Sequence, residues 1–92
     1  MRAILTYTVT KDDKSIDETR LFNTETATKI CDINNAFKNK VQEIYITKSG
    51  ILFILNVIEK KLEIANQKEC KAWIGKNEPD KYIKFFGEVE EG

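Results

Sequence analysis

From Ala3 to Thr10 the chain alternates. Ala3, Leu5, Tyr7 and Val9 fall on one face and Ile4, Thr6, Thr8 and Thr10 on the other, which predicts a half-buried strand rich in β-branched residues. The polar run Lys11 to Asp17 carries turn signals, and Glu18 to Phe22 returns as a second strand with Arg20 and Phe22 facing one way and Thr19 and Leu21 the other. A β-hairpin with a loose loop is the expected N-terminal unit.

The period then lengthens. Asn23 and Thr24 are cap residues, Glu25 suits a first turn, and Ala27, Ile30, Ile33 or Asn34, Phe37 and Val41 recur at helical spacing. A helix is predicted over roughly 24 to 39, with Lys29, Asp32, Asn35 and Lys38 on its solvated side.

Alternation returns at Val41 to Thr47, and Lys48-Ser49-Gly50 is a turn signal that starts a second hairpin. Ile51 to Ile58 is apolar on both faces except for Asn56, which places it at the centre of the sheet, covered on each side or lying against a partner subunit. Leu62 to Ala65 fits a third strand, although Leu55, Ile58, Leu62 and Ala65 also fit a helical stripe. The β-branched and aromatic content just before it favours the strand. From Gln67 the period is helical, with Cys70, Trp73 and Ile74 on one face and Gly75 to Asn77 ending the element. A last short helix starts at Glu78-Pro79-Asp80 and runs through Tyr82, Ile83 and Phe86 to Gly87, leaving Glu88 to Gly92 as a frayed acidic tail.

These elements predict an α+β fold: an antiparallel sheet of four to five short strands with helices packed on one side, in the order β-β-α-β-β-(β)-α-α. Ninety-two residues suit one domain, 1–92, and not two. With 41% apolar residues, five Phe, three Tyr and one Trp, that domain can build a core without disulfides or metal.

Charge narrows the partners. Fifteen Lys plus Arg balance fifteen Asp plus Glu, so no net field recruits a polyanion or a polycation. Arg2 and Arg20 are the only arginines, which leaves few of the bidentate forks that phosphate recognition favours. The abundance of Lys, Ile and Asn matches the codon bias of an AT-rich genome, common in low-GC bacteria and their mobile elements. Cys31 and Cys70 form no spaced motif, no apolar run nears the roughly 20 residues of a membrane span, and alternation from Ala3 replaces the apolar core of a signal peptide. A reduced, cytoplasmic protein without membrane attachment is expected.

The absence of histidine removes the commonest general base near neutral pH and the commonest transition-metal ligand together. Two isolated cysteines make no zinc site alone, no calcium loop motif occurs, and Gly50, Gly75, Gly87 and Gly92 are too scattered to cradle phosphates. The carboxylate pairs Asp12-Asp13 and Glu90-Glu91 fall in a predicted loop and tail, where water keeps both groups ionised. Cys31 beside Ile30, and Cys70 on the face of Trp73 and Ile74, read as core thiols, though Lys68 and Lys71 flank Cys70. Neither a metal nor a cofactor is expected, nor catalysis.

Two features point to binding. Trp73, Tyr82, Phe85 and Phe86 interleave with Lys71, Lys81 and Lys84 as in stacking platforms for single-stranded nucleic acid, but Glu69, Glu78 and Asp80 bring the stretch close to neutrality. The Ile51 to Ile58 strand, the Trp73-Ile74 pair and the Tyr82 to Phe86 cluster also carry more apolar surface than one predicted helix can hide. Either the C-terminal helices close the sheet's second face or a partner does. The expected function is contact with another protein by a small regulator or inhibitor of bacterial, phage or plasmid origin, with a homodimer among the options. Its candidate surface is Trp73, Ile74, Tyr82, Phe85, Phe86, Lys71, Lys81 and Lys84. A weak nucleic-acid binder, or an enzyme using carboxylates, Lys or Tyr alone, are the alternatives.

Overall fold

The N-terminal alternation becomes a long hairpin in the computed structural model, which describes all residues from Met1 to Gly92. Strands β1 (Arg2–Lys11) and β2 (Lys14–Asn23) pair antiparallel along their whole length. Asp12 and Asp13 turn at φ 51° and 61°, the two-residue left-handed turn whose twist matches that of the strands it joins. The loop is therefore tight, and Lys14 to Asp17 belongs to the strand instead of a loose connection.

Four further strands, β3 (Thr28–Asn34), β4 (Lys40–Ile46), β5 (Leu52–Asn56) and β6 (Lys61–Ile64), form an antiparallel meander in chain order. Helices α1 (Gln67–Asn77) and α2 (Pro79–Phe86) follow. The α+β class, the antiparallel pairing and the helices on one side of the sheet stand as the sequence predicts.

The helix expected over 24–39 is absent, and β3 takes its place. Asn23 does act as a cap, its Oδ1 accepting the Glu25 N–H at 2.9 Å, but it closes a single turn before the chain extends. The helical spacing of Ile30 and Ile33 has a different origin. A β-bulge between Lys29 and Cys31 inserts one residue into the ladder, which breaks the period of two and buries Ile30 and Cys31 together. Phe37, expected on the buried stripe, lies in the β3–β4 turn and is 84% exposed.

The four-stranded sheet is covered on both faces. On one, β1 lies against β6 and the hairpin packs Phe22 onto Phe53 of β5, with Tyr45 stacked beside it. On the other, Ile74 and Cys70 of α1 close over Ile30, Cys31, Ile44 and Leu52. Ten residues of hairpin span roughly 33 Å and the five of β5 roughly 17 Å, so the hairpin outruns the sheet beneath it. Its tip residues Val9 and Ile16 join neither core cluster. No helix is long and apolar enough to cross a membrane.

A candidate protein-contact groove between the sheet and the first helix

The start of α1 is fixed by side-chain chemistry. Asn66 caps it, its Oδ1 accepting the Glu69 N–H at 3.0 Å. Gln67 then behaves as a missing strand residue: its Oε1 accepts the Leu52 N–H, and its Nε2 donates to the Leu52 and Ala65 carbonyls, each at 2.8 Å. These bonds pin the first turn of α1 to β5. Asn66, Glu69, Cys70 and Trp73, at the i, i+3, i+4 and i+7 spacing of one helix flank, become a wall beside the sheet.

The floor of the groove is Ile33, Ile44 and Ile54, contributed by three adjacent strands. Ile44 is fully buried, whereas Ile33, Ile54 and Trp73 are only half-buried, because α1 is too narrow to cover the whole face. About 220 Å³ of space remains, lined mostly by apolar atoms. Glu69 is the one charged group on the wall, and it takes part in no ion pair. The Cys70 thiol, at the groove's base, is pushed up to about 11 by burial and by its neighbour Cys31. It stays protonated near neutral pH and packs against the core.

The predicted surface residues divide. Trp73 lines the groove. Ile74 is fully buried in the core, so it leaves the candidate surface: with Cys70 it packs α1 onto the sheet. Tyr82, Phe85 and Phe86 are half-buried against the helix-side core, and Tyr82 lies across Gly75, where an added Cβ would sit 3.2 Å from the ring. Lys71 stands 5.0 Å from the centre of the Phe86 ring and 5.8 Å from that of Tyr82, and Lys84 stands 5.5 Å from that of Phe85. The lysines thus cover aromatic faces that a nucleobase would need. Lys81, half-buried on α2, joins none of these contacts.

On the opposite face one cluster of ionisable groups is closed on itself. On the sheet's hairpin side Glu43 accepts the Tyr45 hydroxyl at 2.6 Å and pairs with Lys40 at 2.6 Å and Lys29 at 3.8 Å, while Lys29 reaches Asp32 at 2.7 Å. The bonds from Lys40 and Tyr45 hold the Glu43 carboxyl below its usual range, and burial together with Glu43 raises the Tyr45 phenol to about 12. A second cleft of about 340 Å³ lies between β2 and the β4–β5 turn. Arg20 there pairs with Glu18 and Thr47 bonds Ser49, while Lys48 takes part in no ion pair.

The sequence carried a signal for Ile54 and Glu69, in the β5 run and in the Asn66 cap that sets the helix phase. The bulge at Ile30 concealed the strand that supplies one side of the groove. Comparison of the chain with protein-family models, curated proteins and solved structures finds no match.

Proposed function

We propose that this protein works by contact with another protein, as a small regulator or inhibitor, and not by turnover. The observation that carries this reading is the apolar part of the sheet left open beside α1. Ile33, Ile54 and Trp73 form a half-buried apolar patch on the helix side of the sheet. Such a patch favours a protein surface, because its burial stabilises a complex while the surrounding polar rim keeps the free chain soluble.

The groove's volume supports the same reading. Its 220 Å³ falls below the range of about 300–1,000 Å³ common for small-molecule pockets; the 340 Å³ cleft between β2 and the β4–β5 turn falls within it, but neither is lined by an acid and a base together. Single-stranded nucleic acid fits less well, since Lys71 and Lys84 already occupy the rings that would stack.

The test is placement of a photo-crosslinker. Glu69→p-benzoylphenylalanine puts the probe on the groove wall and Lys14→p-benzoylphenylalanine puts it at the hairpin tip. Protein adducts from position 69 and none from position 14 are expected. No adduct from either position, together with salt-dependent quenching of Trp73 by oligonucleotides, would transfer the function to nucleic acid.

A further inference from the structure

The groove has a counterpart on the same molecule. The β3–β4 turn, residues 35–39, holds Phe37 in water at 84% exposure. A disordered loop could do that by accident, but this loop is built. Asn35 Oδ1 accepts the Phe37 N–H at 2.9 Å and the Asn39 N–H at 3.0 Å, the Asn35 N–H reaches the Asn39 carbonyl at 2.9 Å, and Lys38 sits at φ 62°. Four constraints fix a bulky aromatic in an outward position.

We infer that the occupant of the groove is the Phe37-Lys38 knob of a second copy of this chain, each copy inserting Phe37 between Ile33, Ile54 and Trp73 of the other, with Lys38 against Glu69. This rests on the contact reading above and names its partner. Charge is complementary at this contact: Lys38, next to Phe37, and Glu69, the one charged group on the groove wall, are opposite in sign and neither is held in an ion pair within its own chain. Size agrees, because a space of 220 Å³ has room for one aromatic side chain.

Position agrees as well. Phe37 follows Ile33 by four residues, so knob and groove lie at one end of β3, where a two-fold axis between them lets each patch meet the other's complement. The β5–β6 turn lies at the same end of the antiparallel meander and presents Ile58 at 73% exposure, extending the apolar contact around the knob. A loop already held in its bound shape loses little entropy on docking.

Light scattering and sedimentation of the full chain, from about 1 to about 300 µM, spanning the affinities expected of a modest interface, test it with four variants. Phe37→Ser removes an exposed side chain, so folding is retained, and it should weaken dimerisation roughly 30-fold, the effect of losing a central aromatic anchor. Lys38→Glu and Glu69→Lys should each weaken it about 5-fold, and the double exchange K38E/E69K should restore it. A chain monomeric throughout the range, a dimer indifferent to Phe37→Ser, or single charge variants that the double exchange fails to rescue would each overturn self-association. Adducts from position 69 to a different protein, with the chain monomeric, would overturn it while leaving the contact reading intact. A monomer without adducts would end both.

Discussion

The two faces of the four-stranded sheet are finished in opposite ways. On the hairpin side, Phe22, Phe53 and Tyr45 pack edge-to-face and stacked. Where that packing stops, Lys29, Asp32, Lys40 and Glu43 complete the surface with ion pairs. On the helix side α1 covers the centre, and where it stops the sheet is finished with isoleucines. The first margin is satisfied within the chain and the second is not, although both lie on the same strands. An uncovered margin is therefore not a necessity of this fold, since alternate residues of β3 and β4 close one with charge and leave the other apolar.

The contrast can be broken at several points. The largest effect is expected at Phe53, fully buried at the centre of the hairpin side, where Phe53→Ala should cost about 3–5 kcal/mol in urea unfolding. A cost near 1 kcal/mol would mean that the hairpin is only loosely docked.

Next comes Glu43→Gln, which leaves Lys40 and Lys29 without their shared carboxylate and should cost about 1–3 kcal/mol at neutral pH. The sign with pH follows from the lowered carboxyl. The unfolded chain takes up the proton first, so the stabilisation is complete above the unfolded value of about 4.3 and is lost as pH falls through the lower folded value. The Gln variant should show a flatter acid limb in thermal melts, and an unchanged limb would remove Glu43 from the account.

Ile33→Thr, on the open margin, should cost less than about 1 kcal/mol of stability, because the side chain is already half in water. Its effect belongs to association. A loss above 2 kcal/mol would show that the margin serves folding and not contact. The smallest effect concerns the thiols: burial raises both Cys31 and Cys70, so alkylation of the native protein at pH 8 should stay near background and accelerate only on unfolding.

How legible this was depended on whether local signals agreed with the tertiary ones. The strands at Ala3, Val41, Ile51 and Leu62 carry their alternation or β-branched runs openly, and Pro79 at the start of α2 marks its own helix. Thr28 to Asn34 misled because cap residues precede it and the bulge after Lys29 shifts its buried positions to a spacing of three. The type of turn at Asp12-Asp13 was hidden because two aspartates do not announce left-handed backbone as Asn-Gly would.

The candidate site was legible in one residue, Trp73. Ile74, which the pattern assigns to the candidate surface, is a core residue, and Phe37, which the pattern assigns to a buried stripe, is the most exposed large apolar residue of the chain. Both errors share a cause: periodicity reports which residues share a face, but only the packing of neighbouring elements decides which face is covered.

Trp73 is the only tryptophan and stands on the wall of the open margin, so its accessibility reports the central claim directly. Iodide quenching of its fluorescence, measured while the purified chain is concentrated, should fall as the groove fills, and Phe37→Ser should keep the quenching high throughout. Quenching that is the same at every concentration and in both proteins would mean that nothing of this chain enters the groove.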